Sequence, residues 1–127
     1  MSVVQLSITV TDDLSSLGVV RRYLHAASGI LGVTPDLDTV DLLSTELMSN
    51  AVRLGCGEVL VVVRRGIEGS IRVEVRDHGY GLPELTTDAD AGADDPPHAL
   101  GLTIVDRLAR DWGVDQYLPG KTVWFEV

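Results

Sequence analysis

Hydrophobic and polar residues alternate near the start of the chain: Val4, Leu6, Ile8 and Val10 fall on one side, with Gln5, Ser7 and Thr9 on the other. A period of two sends successive side chains to opposite faces, so Val3–Val10 reads as a half-buried strand. Asp12 and Asp13 then offer a helix N-cap. Leu17, Val20, Leu24, Ala27 and Leu31 recur at helical spacing, which predicts an amphipathic helix ended by Gly29 and Gly32. Thr34-Pro35-Asp36 reads as a second helix start, with a capping hydroxyl, proline at the first position and an acid in the first turn. The stripe Val40, Leu43, Leu47, Ala51 and Leu54 follows, and Gly55 and Gly57 stop it.

Beyond the helices the period shortens again. Glu58–Arg65 holds five consecutive apolar residues and predicts a central strand. Ile71, Val73 and Val75 alternate with Arg72, Glu74 and Arg76, and Gly66-Ile67-Glu68-Gly69 joins the two strands as a hairpin turn. Glu84–His98 is rich in Asp, Ala, Pro and Gly without periodicity, and predicts a long functional loop. Ala99–Asp111 reads as helix, then Val114–Leu118 and Lys121–Val127 as strands turned by Pro119-Gly120. This order predicts a single domain over residues 1–127. Its fold class is α/β: a two-layer α/β sandwich with a mostly antiparallel mixed sheet and three helices on one face.

Composition narrows the function classes. The 127 residues carry a formal net charge of -9, which disfavours direct nucleic-acid contact and anionic membrane surfaces. The start of the chain lacks a signal-peptide pattern, and no apolar stretch is long enough to cross a bilayer. With one cysteine, Cys56, no intrachain disulfide forms, and a cytoplasmic location is expected. Three scattered histidines lack zinc-ligand spacing.

Three segments carry candidate chemistry. In Glu46-Leu47-Met48-Ser49-Asn50-Ala51-Val52-Arg53, an acid, an amide and a cation share one helix flank. Such a set can serve a metal-bound triphosphate: the carboxylate accepts a proton, the amide oxygen ligates Mg²⁺ and the guanidinium pairs with phosphate. Taken alone, a solvated polar face is the plainer reading of this segment. Asp77-His78-Gly79-Tyr80-Gly81 follows a strand directly. Its carboxylate can accept a hydrogen bond from adenine's amino group, and its glycines permit close backbone approach; an ordinary Asp-Gly turn is the plainer reading. Ala99-Leu100-Gly101-Leu102 opens a helix, where free backbone N–H groups favour phosphate or simply pack against the sheet.

In order and spacing these segments resemble the motifs of the GHKL superfamily. ELMSNAVRLG resembles its N box, DHGYGLP its G1 box and ALGLTIVDRL its G2 box, while GKTVWFEV is similar to the end of small actinobacterial-type relatives. The chain thus resembles the Bergerat-fold ATP-binding domains of the anti-sigma-factor serine/threonine kinases. That resemblance implies ATP and Mg²⁺ as cofactors. It implies Asn50 as the Mg²⁺ ligand and Glu46 as general base toward a serine or threonine hydroxyl. Asp77 would read adenine, with Gly79 and Gly81 shaping the pocket. Arg53, Gly101 and Leu102 would lie near the phosphates. It further implies a STAS-type antagonist as acceptor, a sigma factor as the other partner, and a homodimer paired through the N-terminal strand. Two features favour an alternative, a degenerate protein-binding module with little nucleotide affinity. Ala99 replaces a customary glycine, and no Lys or Arg lies between His78 and Asp106, where Glu84, Asp88, Asp90, Asp94 and Asp95 accumulate.

Overall fold

The alternating segments form one five-stranded sheet in the computed structural model, which describes residues 4–54, 57–78, 103–117 and 120–127. The chain runs β1 (Gln5–Thr11), α1 (Ser16–Leu31), α2 (Leu37–Leu54), β2 (Glu58–Arg65) and β3 (Ile71–Asp77). A third helix, α3, described over residues 103–108, precedes β4 (Asp111–Tyr117) and β5 (Gly120–Glu126). The strand order is β1-β2-β3-β5-β4, and each pairing is antiparallel. Helix α1 packs over β1 and β2, and α2 over β3 and β5. The result is the expected two-layer sandwich.

The core lies between these layers. Val59, Val61 and Val63 of β2, Ile71, Val73 and Val75 of β3, and Val123 and Phe125 of β5 are all buried. From the helices come Val20, Leu24, Ala27 and Leu31 of α1, then Val40, Leu43, Leu47, Met48 and Ala51 of α2, with Val105 of α3. Each fully buried aliphatic side chain contributes roughly 1.5–3 kcal/mol of transfer free energy, which explains why the two periodicities in the sequence are so regular.

Helix ends follow from local chemistry. The Asp13 carboxylate accepts the Ser15 N–H at 2.9 Å and caps the turn that leads into α1. Gly32 closes α1 with φ 71°, while the N–H of Val33 reaches the Ser28 carbonyl at 3.1 Å. That left-handed closure suits a residue without a Cβ. Arg65 of β2 donates to the Leu31 carbonyl, which ties the end of α1 to the sheet. The second helix starts later than the proline signal predicts. Its cap is Asp36, not the Thr34 hydroxyl: Asp36 accepts the N–H groups of Asp38 at 3.1 Å and Thr39 at 3.4 Å, and the Thr39 hydroxyl at 3.1 Å. A carboxylate that takes three donors outcompetes a single hydroxyl two residues earlier.

The third helical region ends earlier than the span read over Ala99–Asp111. Within the described residues it ends at 108, and the chain re-enters the sheet at Asp111, three residues before the predicted strand. The backbone N–H of Arg110 bonds the Glu126 carbonyl at 2.7 Å, and Trp112 Nε1 donates to Asp106 at 2.9 Å, so sheet pairing captures this segment.

Replacing Asp36 with Ala is expected to lower unfolding free energy by about 1 kcal/mol, while Thr34→Ala stays within about 0.5 kcal/mol of wild type, both read from urea denaturation midpoints.

Candidate functional site

Helix α2 has two jobs on adjoining sides. Leu43, Leu47 and Ala51 sink into the core, and this anchors the flank that carries Glu46 and Asn50. These two residues are four apart, about one turn, so their side chains lie one above the other. Asn50 is buried, with 3% exposure, whereas Glu46 remains partly exposed. A buried amide beside an accessible carboxylate suits a site where one group orients and the other exchanges protons. Arg53 lies in the last turn of α2, and its side chain falls outside the described residues, as do Gly79, Gly81, Gly101 and Leu102.

Asp77 is the last residue of β3, the strand on which α2 rests. It follows Val73 and Val75 in phase and so points toward the helices. Its side chain is 2% exposed and accepts a 2.9 Å hydrogen bond from Lys121 Nζ, also 2% exposed. Asp77 and Lys121 are register partners on β3 and β5. Their approach depends on Gly120, where a Cβ would stand 1.9 Å from the Asp77 carbonyl oxygen. Lys121 was not among the residues singled out from sequence. A signal was present nonetheless: Lys121 is in phase with Val123 and Phe125, which places it on the buried face.

The opposite face of the sheet holds a second polar cluster. Glu74, 4% exposed at its side chain, accepts from Arg64 at 2.8 Å, Arg72 at 3.0 Å and Arg76 at 2.8 Å. The Arg72 guanidinium also lies 3.7 Å from the Trp124 ring centroid, a cation–π contact. Burial pushes the Glu74 carboxyl upward, but the Arg76 hydrogen bond, the Arg64 charge and the Arg72 hydrogen bond outweigh it and hold the group below its usual 4.5. A cleft of about 390 Å³ opens on this side, lined among the described residues by Leu60, Arg76, His78 and Thr122. Leu60, Arg76 and Thr122 share one cross-strand row, out of phase with Asp77 and Lys121.

The donor set under α2 fits a nucleotide with its metal. Mg²⁺ commonly takes one or two protein oxygens and fills its remaining positions with phosphate and water, and an amide oxygen such as that of Asn50 is a ligand of this type. Among the described residues, no three His, Cys, Asp or Glu side chains form a self-sufficient metal site.

The family model for the histidine kinase-like ATPase domain matches residues 10–127. Among solved structures, the chain is similar to the RsbU and RsbW domains of Rv1364c from Mycobacterium tuberculosis, with a TM-score of 0.68 and 18% sequence identity. That match covers 96% of this chain and 31% of the other, so this chain spans less than a third of its length, and the likeness is one of fold. No curated protein matches.

Two outcomes test the polar clusters. Because the Glu74 carboxyl is lowered on folding, its contribution to stability is full above about pH 4.5 and is lost as pH falls through the folded-state value. Acid titration of the unfolding free energy should therefore be shallower below that pH in Glu74→Gln than in wild type. For the buried pair, Asp77→Ala and Lys121→Met should each cost about 3–5 kcal/mol, and the double variant less than their sum, in a double-mutant cycle by chemical denaturation.

Proposed function

Because the chain belongs to the histidine kinase-like ATPase domain family, we propose that it is an ATP-binding regulatory protein of the anti-sigma-factor serine/threonine kinase type. The observation that carries this reading is the grouping of Glu46 and Asn50 on the core-anchored flank of α2, above the strand that ends in buried Asp77. The N-box, G1-box and G2-box resemblance supports the same assignment.

In this reading Asp77 accepts the amino hydrogen of adenine, and Asn50 offers its amide oxygen to Mg²⁺. The metal, when bound, neutralises charge on the phosphates. Glu46 takes the proton from a serine or threonine hydroxyl of a STAS-type antagonist as that oxygen bonds to the γ-phosphorus and the bond from this phosphorus to the β–γ bridging oxygen breaks, so that ADP leaves with the electron pair. Arg53, Gly101 and Leu102 attend the phosphates, and Gly79 and Gly81 shape the pocket. A sigma factor is the second partner. Helices α1 and α2 are not long and apolar enough to cross a membrane, and the same holds for every helix among the described residues. That agrees with a cytoplasmic regulator. Strand β1 stands at one edge of the sheet, which supports pairing of two copies through it.

The buried Asp77–Lys121 pair favours a second reading, in which the two charges serve as an internal staple of a protein-binding module. Binding of such a module to its partner is insensitive to ATP and to Asp77→Asn.

Transfer of labelled phosphate from ATP to a STAS-type protein discriminates the two. Glu46→Gln is expected to slow transfer by about 10²–10⁴-fold while calorimetric affinity for Mg²⁺-ATP stays within a few fold of wild type. Absence of ATP binding, with partner capture intact, would replace the kinase reading by the binding-module one.

A further inference from the structure

We infer that Lys121 is a specificity-determining residue of the base site, and that the Asp77–Lys121 pair accepts purines with either an amino or a keto group at position 6. The inference rests on the nucleotide-binding reading above and extends it to the chemistry of the base.

The pair combines opposite hydrogen-bonding characters at one point. A carboxylate accepts only, through two oxygens with about four acceptor directions, and an ammonium donates only, through three protons. With Nζ 2.9 Å from Oδ1, a group that hydrogen-bonds to the Asp77 carboxylate comes within reach of the Lys121 ammonium. Adenine presents an amino donor next to the N1 acceptor. It satisfies the pair with its amino group on the carboxylate and N1 on the ammonium. Hypoxanthine and guanine present a keto acceptor next to an N1–H donor. They satisfy the same pair with the contacts exchanged: N1–H on the carboxylate and the keto oxygen on the ammonium. A carboxylate alone repels a keto oxygen at position 6. Lys121 removes that repulsion.

Burial decides how much this matters. Both side chains are 2% exposed, so a base edge that reaches them is also withdrawn from water. In such a site an unpaired polar group costs far more than a missing methyl, and the hydrogen-bond pattern sets the preference among bases. The strand register makes the arrangement specific. Asp77 faces Lys121 directly across β3 and β5, and Gly120 lets the strands close at that point.

The test is calorimetric titration of the full chain with the Mg²⁺ complexes of ATP, inosine triphosphate and purine riboside triphosphate, which has only hydrogen at position 6. Expected for wild type are ATP and inosine triphosphate affinities within about tenfold of each other, with purine riboside triphosphate at least about tenfold weaker than ATP. In Lys121→Met, checked for native fold by near-ultraviolet circular dichroism, the gap between ATP and inosine triphosphate should widen by about tenfold or more. Equal binding of all three ligands, rejection of inosine triphosphate by wild type, or an unchanged gap in the folded variant each overturns the inference. If the variant does not fold, the wild-type series alone decides. Failure of all three ligands to bind would instead remove the nucleotide-binding reading itself, whereas ATP binding with rejection of inosine triphosphate removes only the role of Lys121.

Discussion

Glu74 and Asp77 stand three residues apart on β3, and an odd spacing on a strand sends two side chains to opposite faces. The register of β3 against its neighbours therefore settles the polar chemistry of the whole sheet. In the observed register Glu74 lies on the outer face among Arg64, Arg72 and Arg76, and Asp77 lies under the helices against Lys121. A slip of one residue would drive Glu74 into the aliphatic core without a cation and expose Val73 and Val75. Each carboxylate thus penalises the wrong register. The buried pairs add little net stability, because desolvation offsets most of their attraction. Their larger effect is to exclude the alternative alignment.

Helix α2 depends on that alignment in turn. It rests on β3 and β5 through its apolar stripe, and the strand ends below it carry the charged pair. The helix that carries Glu46 and Asn50 is thus seated on the sheet through Leu43, Leu47 and Ala51. Loss of volume at Leu43 or Leu47 would move the flank relative to Asp77 without touching any polar group. The chemistry is positioned by the core, and only its identity is set by the polar residues.

Much of this was legible from residue periodicity. The period-two runs located β1 and β3 within a residue or two, a continuous apolar run located β2, and the period near 3.6 located α1 and α2, because burial dominates those segments. What escaped had a different physical cause. Thr34-Pro35 matches the statistics of a helix start, yet Asp36 takes three donors at once, and local hydrogen-bond competition sets the boundary. The early part of β4 offers a weak pattern, since Gly113 has no side chain and Asp111 is exposed; pairing with β5 defines it instead. Of the site, Glu46, Asn50 and Asp77 could be singled out by residue type and order. Lys121 was passed over despite its phase with Val123 and Phe125, because a lysine after Pro119-Gly120 reads as a solvated turn residue and lysines are seldom buried. Its partner is 44 residues away in sequence, and only the register brings them together.

The two faces of the sheet divide the electrostatics of an acidic chain. Three of its ten basic residues gather around one carboxylate on the outer face, leaving a local cationic excess in a molecule of net charge -9. Stacking of Arg72 on Trp124 and shared hydrogen bonds to Glu74 fix these side chains at little further entropic cost, so the patch is preorganised. Under the helices the balance is different: one ammonium offsets one carboxylate, and the pair is neutral as a unit. Neutrality matters there because an anionic ligand approaching an isolated buried carboxylate would meet repulsion that solvent could not screen. A paired carboxylate keeps its directional acceptor character and loses most of its long-range field. The sheet can thus offer a polar recognition element inside its core without the electrostatic penalty that an acidic group would otherwise impose on a phosphate-bearing ligand.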